Sequence, residues 1–471
     1  MTVRTDVVIL GGGPVGCLLA VLLNDMGVAN VLVERDTEPY QLPRAIVMDD
    51  EIQRALHDHA MGGWLEAHTS RLEAADFTDA SGTRLLGMDI PALGLQGVPP
   101  VVAHYQPELD AMLRAEAVRR GTDARFGRTV ASMEDRGADV LTVLDDGTEV
   151  VSRWFVGCDG ASSWTRRRVG IDLEDLRFDQ PWLVVDIELH DENVPVLPLG
   201  VRQYCDPLRP TTYVKGKGRY RRWEFQVQPD DDSDEIVSEP ALWRLLAPWV
   251  APEHAVLVRR ALYRFHAVVA TRWREGNVFL AGDSAHQMPP FLGQGLNSGM
   301  RDAINLAWKM SLVVRGAAGD ALLDTYGEER GPHARSVVAH AVDSGLLIDQ
   351  LAGRNSAGID PGAGYGGARP AACITSGLVL GDDARVGHQF WHHPEVSRAV
   401  RARGASFVLV ASEPTEVPPE WDGLPVEVVV APESTAGSWG VLVRPDRYVA
   451  AVPADARELA ALGTTVANRV R

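Results

Sequence analysis

Cysteine is scarce in this chain. There are four, Cys17, Cys158, Cys205 and Cys373, and no two stand in a C-x-x-C pair. That argues against a disulfide scaffold and a dithiol centre, and fits buried thiols in a reducing compartment. Long hydrophobic runs are also missing: none reaches the roughly 18 residues that a bilayer-spanning helix needs. The N-terminus opens on a strand carrying Asp6 rather than on a secretory leader. Positive charge is in deficit, with 46 Lys and Arg against 64 Asp and Glu and a formal net charge of −18. Such a surface repels nucleic acid and anionic membranes, so neither is an expected partner. The 471 residues, 45% hydrophobic and 23% charged, suit a soluble cytoplasmic protein of two or three domains.

What the sequence does hold is glycine at telling places. Residues 6–10 read as a buried strand, 15–26 have helical apolar spacing, and 28–34 read as a second strand, the opening unit of a doubly wound sheet. The turn between strand and helix is Gly11-Gly12-Gly13-Pro14-Val15-Gly16. In such a G-x-G-x-x-G turn Gly11 allows the tight bend, Gly13 lets the backbone approach a pyrophosphate, and Gly16 lets helix and sheet pack closely. Pro14 has no N–H to lose at a helix start, and the helix N-terminus attracts phosphate. Glu34, followed by Arg35, ends the next strand and suits a ribose diol while repelling a 2′-phosphate. This motif alone admits either FAD or NAD.

A second strand, 277–282, ends in Gly282-Asp283 and leads through His286, Pro289 and Pro290 to a helix opening around Gly295, Leu296 and Asn297. A nicotinamide site has no use for this element. A flavin does: Asp283 is expected on a ribityl hydroxyl, and the N–H groups of 295–297 at the pyrimidine edge, where the positive helix end stabilises reduced, anionic flavin. Pro289 and Pro290 form a wall without N–H donors, suited to protecting an oxygenated flavin from premature protonation. Between the two lies Cys158-Asp159-Gly160-Ala161-Ser162-Ser163, followed by Arg166.

The three motifs in this order resemble the single-component class A flavoprotein aromatic hydroxylases, of para-hydroxybenzoate hydroxylase-like fold, over residues 1–350. Pro43-Arg44-Ala45, Gln106-Pro107-Glu108-Leu109, residues 178–186, 204–207 and Arg222-Trp223-Glu224-Phe225 look like the 3-(3-hydroxyphenyl)propionate hydroxylase branch. The resemblance implies Arg44 and Gln106 beside FAD, and Asp159 with Arg166 in a groove for transient NAD(P)H. It also implies hydroxylation of a small aromatic substrate by O2 through a flavin C4a-hydroperoxide. The alternative is a flavin monooxygenase tailoring a larger polycyclic compound; a non-enzymatic flavin module is a third reading, disfavoured by the intact motifs. His286, Tyr204 and Tyr213 are candidates for activating a phenol, each with a packing role as the alternative. Arg202 and Arg222 are candidates for a substrate carboxylate, with an exposed surface role as the alternative.

The expected class is α/β, with an FAD-binding Rossmann-like domain (1–177 and 266–352) and an inserted, mostly β substrate domain (178–265). A linker (353–372) leads to a small thioredoxin-like α/β domain (373–471) without C-x-x-C. The acidic run 230–235 reads as a solvated loop. His388, His392 and His393 have helical spacing but no further ligand in view, so no metal is expected. A homodimer is left open.

Overall fold

The computed structural model describes residues 2–193, 196–361, 373–403 and 405–470. The expected linker therefore lies mostly outside the described residues. Strand Thr2–Leu10 is central to the first sheet, and its Val7, Val8 and Ile9 have no exposed surface, as a strand covered on both faces requires. It runs parallel to Asn30–Glu34 on one side and to Glu149–Gly157 on the other, and Val278–Leu280 lies parallel beyond that. A hairpin turning at Asp146-Gly147 joins Val140–Leu144 to Glu149–Gly157. Helix Pro14–Asp25 starts at its proline and is buried along most of its length, between helices Gln106–Arg119 and Gln294–Val314.

The strand register brings the motifs together. Leu10 pairs with Gly157, and Gly157 with Leu280. The residues that follow, Gly11, Cys158-Asp159 and Ala281-Gly282, leave the sheet side by side at the carboxyl ends of three adjacent parallel strands. A ligand crevice forms at such an edge.

The second sheet has eight strands: His286–Gln287, Ala255–Ala270, Leu173–Leu189, Tyr220–Gln226, Thr211–Lys215, Val201–Cys205, Ala74–Asp79 and Arg84–Asp89, in spatial order. The two strands at one edge come from far earlier in the chain than the expected 178–265 segment, because Val201–Cys205 pairs in parallel with Ala74–Asp79. The sheet is two-faced with a period of two. Leu183, Val185, Ile187, Tyr213, Trp223 and Phe225 pack against Leu242 and Leu246 of helix Glu239–Leu246. Their neighbours along each strand point the other way. The acidic run is more ordered than a solvated loop: Asp231 pairs with Arg209 at 2.7 Å, and Asp232 caps the short helix Ser233–Ile236.

A four-stranded sheet closes the chain. Phe407–Ala411 lies between parallel Val426–Val430 and antiparallel Gly440–Val443, with Val449–Ala451 outermost. Helices Pro394–Arg403 and Ala456–Val470 accompany it. No described helix is long and apolar enough to cross a membrane.

Candidate cofactor and substrate site

A cavity of about 1650 Å³ runs from the glycine turn of the first sheet to the inner face of the second. At its first end the reason for each glycine can be separated. A Cβ on Gly11, whose φ is +113°, would meet the Cys158 carbonyl oxygen at 2.3 Å, and one on Gly16 would meet the Gly11 oxygen at 2.0 Å. These two are required by the fold. A Cβ on Gly13 would meet no protein atom within 4 Å, and Gly13 has an ordinary φ of −76°. Space reserved there fits a ligand that approaches the backbone at the helix start. Glu34 accepts hydrogen bonds from the Gly12 N–H (2.6 Å) and the Asp36 N–H (2.8 Å) at the cavity wall. Arg114, which the sequence reading did not single out, donates to the Gly12 carbonyl at 3.1 Å and steadies the turn. Arg35 also borders the cavity, its side chain pointing largely into solvent near Asp36.

Asp159 borders the cavity, but its carboxylate is engaged by Ser163 Oγ, Thr165 N and Thr165 Oγ1 at 2.6–3.0 Å. Gly160 turns beside it with φ of +78°. Arg166 faces inward instead, donating to the carbonyls of Ala161 (3.4 Å) and Ser284 (3.3 Å), so it ties the middle motif to the third. These bonds turn the Asp159 carboxylate and one Arg166 nitrogen toward internal partners.

Gly282, Asp283, Pro290, Gly295 and Leu296 line the middle of the cavity. Asp283 presents surface to it, and burial of the surrounding wall raises its carboxyl above the ordinary range, opposed by His286 and Arg44. Helix Gln294–Val314 points its N-terminus at the same place. Pro289 is not among the lining residues; Met288 and Pro290 are. Asn297 is buried with its side chain occupied, accepting from Asp49 N and donating to the carbonyls of Val47 and Gly293. It can offer the site its backbone only.

His286 does not reach the cavity. Its Nε2 lies 2.8 Å from Asp302, whose carboxylate also accepts from Gly282 N and Arg330, and its ring stacks on Trp273. This corrects its candidacy for phenol activation: it holds the Gly282–Asp283 turn. Tyr204 and Tyr213 are corrected for a different reason. Strand alternation places Gln203, Thr212 and Val214 on the cavity side. Tyr213 is therefore buried in the opposite core, donating to the Pro198 carbonyl, and Tyr204 packs on Trp249. Arg202, on the same outward register, lies 3.5 Å from Asp76.

Arg222 does border the cavity, yet four of the five N–H donors of its guanidinium are engaged. It donates to both Asp186 oxygens (2.6 and 2.9 Å) and to the carbonyls of Arg44 (2.6 Å) and Pro43 (2.9 Å). Arg259 adds a second bond to the Pro43 carbonyl. From the opposite side Gln106 Oε1 accepts from the N–H groups of Arg44 (3.2 Å) and Ala45 (2.6 Å). The Pro-Arg-Ala loop is clamped between the second sheet and the start of helix Gln106–Arg119, and Arg222 is its fastener rather than a carboxylate receptor. Two positions from Arg222 on the same face is Glu224, which the motif quoted but no role singled out; alternation from Arg222 was the available signal.

The match to known proteins follows this geometry. Residues 4–341 match the FAD binding domain family. The chain belongs to that family. Among curated relatives, a probable NADH-specific resorcinol 4-hydroxylase of Rhodococcus jostii is 38% identical over 348 residues, covering 73% of this chain and 65% of the relative. A 3-(3-hydroxy-phenyl)propionate/3-hydroxycinnamic acid hydroxylase of Escherichia coli is 36% identical over 351 residues, covering 73% and 62%. The chain thus spans somewhat less than two thirds of the length of these relatives. Similar folds extend over nearly the whole chain. The flavin-dependent monooxygenase PieE has a TM-score of 0.82 at 22% identity, covering 99% of both chains, and RebC has 0.80 at 25% identity, covering 100% of both. The family's FAD-dependent monooxygenase fold is therefore the fold of this mixed α/β chain.

Proposed function

We propose that the protein is an FAD-dependent monooxygenase that hydroxylates a phenolic ring with NAD(P)H and O2. The observation that carries this reading is one continuous cavity: three strand-end motifs that suit FAD open into a second chamber walled by the inner face of the eight-stranded sheet. Glu34 would hold the adenine ribose, Gly11–Gly16 the pyrophosphate, and Asp283 the ribityl chain. The N–H groups of 295–297 would meet the pyrimidine edge, with the loop of Arg44, held by Gln106, alongside. Bound FAD supplies electron transfer from the nicotinamide and activation of O2. The protein's own part is positional. The clamp on Pro43-Arg44-Ala45 fixes one wall, the helix at Gln294 directs its positive end to the place where negative charge develops, and Pro290 adds no N–H donor to the wall. The relatives named for resorcinol and hydroxyphenylpropionate support a monocyclic phenol.

A second reading, a polycyclic substrate, is favoured by size. The cavity of about 1650 Å³ is larger than the ~300–1000 Å³ usual for small-ligand sites, although FAD itself must occupy much of it. The domain arrangement belongs to the same proposal: an FAD domain of 1–177 and 266–352, a substrate domain of 178–265 completed by strands from 74–89, and a thioredoxin-like closing domain from 373.

Purified protein should be yellow, with an oxidised-flavin spectrum, and should oxidise NAD(P)H faster when a phenol is added. Protein that binds no FAD would overturn the proposal. A panel of resorcinol, hydroxyphenylpropionates and polycyclic phenols separates the two substrate readings.

A further inference from the structure

Two cross-strand rows lie on the cavity face of the second sheet. In one, Arg222, Asp186 and Arg259 stand opposite one another on three strands and satisfy each other and the Pro43–Arg44 carbonyls. In the next row, Phe77, Gln203, Thr212, Glu224 and Val184 are cross-strand partners in turn. Thr212 Oγ1 donates to Gln203 Oε1 at 2.6 Å, so that pair is largely self-satisfied. Glu224 is different. It is 5% exposed and borders the cavity, and its carboxylate has no hydrogen bond among the described residues. Its nearest ion-pair partner, Arg222, is at 3.9 Å and already carries four shorter bonds. A carboxylate buried to this degree without a donor is costly. Phe77, Val201, Phe265, Phe291 and Ile348 give the same chamber apolar walls suited to an aromatic ring.

We infer that Glu224 accepts the hydroxyl proton of an aromatic substrate bound at the sheet end of the cavity. The inference rests on the hydroxylase reading above and names the substrate's polar group: a ring hydroxyl that points at the Thr212–Glu224 pair. A substrate carboxylate at that spot would face Glu224 and meet repulsion. In the step, the phenol O–H bond breaks and the proton joins the Glu224 carboxylate. The products are a carboxylic acid and a phenolate, with total charge unchanged, and the proton later passes to water. A phenolate pushes more electron density into the ring, which favours attack on an electrophilic oxygen. The groups that face Glu224 are Arg222 on its own strand, Asp186 on Leu173–Leu189 and Arg259 on Ala255–Ala270; Thr211–Lys215 contributes Thr212. Burial pushes the carboxyl up to about 7, with Asp186 adding to the rise and the two arginines opposing it. A base poised there suits proton transfer near neutral pH.

The test uses FAD-loaded wild type, Glu224→Gln and Glu224→Asp. Binding of resorcinol is followed by perturbation of the flavin spectrum, with 1,3-dimethoxybenzene as the ring without a donor, and turnover is followed between pH 5.5 and 8.5. Wild-type kcat should rise with pH through about 7, as the acceptor form is populated. Glu224→Gln should lose that limb and about 10²-fold in kcat, with a smaller change in KM and with FAD affinity unchanged. Glu224→Asp should restore part of the limb, and the dimethoxy ring should bind the wild type no better than the Gln variant. If phenols bind and Glu224→Gln keeps the limb or the wild-type kcat, the assignment falls and the hydroxylase reading stands. If FAD binds and no phenol perturbs its spectrum or speeds NAD(P)H oxidation, both fall.

Discussion

At the scale of single residues, glycines of one motif do different work. Gly16 has the Gly11 oxygen 2.0 Å from where a Cβ would sit, and Gly13 has no atom within 4 Å. Gly16→Ala should therefore lower Tm of the FAD-free protein, by an overpacking cost of about 1–3 kcal/mol. Gly13→Ala should leave that Tm unchanged and weaken FAD, read by titration of the apoprotein; equal effects of the two would contradict the geometry. Asp283→Ala removes a charged acceptor from the proposed ribityl position and should raise the Kd for FAD about tenfold or more. Pro290→Ala restores an N–H to the wall and should raise the peroxide released per NAD(P)H oxidised; unchanged coupling would count against a protective role. The glycines and Asp283 were legible in the sequence because their chemistry is local to a strand end. Tyr204 and Tyr213 were misjudged because both are polar aromatics on a strand, and only the sheet's orientation says which face each takes.

Secondary-structure elements meet at buried charge. Strand Leu173–Leu189 gives Asp186, strand Tyr220–Gln226 gives Arg222, and together they hold the carbonyls of the loop before strand Val47–Asp49. Removing one member leaves the other charge buried and alone. Arg222→Ala should cost about 3–5 kcal/mol in urea unfolding and should loosen the Arg44 loop, with FAD affinity falling in parallel. A variant with wild-type stability and weakened binding of an aryl carboxylate would instead restore Arg222 as a substrate ligand. Helix Gln294–Val314 is fastened in the same manner through Asp302 to His286 and Arg330. The helix itself and its start near residue 295 were evident from its spacing and its glycine; its anchor was not, since the partners lie 16 and 28 positions away.

Across the whole molecule, residues 444–446 are tied to helices Gln294–Val314 and Ala321–Leu351 by buried charge. Arg444 has no exposed surface and binds Glu329 at 2.7 Å and Asp446 at 2.6 Å; Asn305 and Trp308 also donate to Asp446. Burial alone would raise the Glu329 carboxyl, but Arg444 and Lys309 outweigh it and bring it down to about 2. A depressed folded-state value means the stabilisation is complete above the ordinary Glu value of ~4.3 and is lost as pH falls toward about 2. Acid unfolding followed by Trp fluorescence should therefore steepen below about pH 4. Glu329→Gln should flatten that acid limb while lowering stability at pH 7; an unaltered limb would assign it to other carboxylates. The docking residues come from 305–329 and 444–446, more than a hundred positions apart, and their pairing has no local signature.

The sequence by itself determined the cofactor class, the order of the three motifs and the helices and parallel strands that carry them. Each depends on neighbours a few positions apart: glycine where a helix begins, an acid where a strand stops, apolar residues at regular spacing. Only the tertiary structure decided which side chains face the cavity. That depends on the parity of strands paired over long separations and on which charges find partners when they are buried. The sequence offered Arg222 as a carboxylate ligand and His286 as a phenol activator, each beside a non-catalytic reading, and the fold gave both internal partners. It marked no role for Glu224, and the fold left that carboxylate without a hydrogen bond among the described residues at the proposed substrate end.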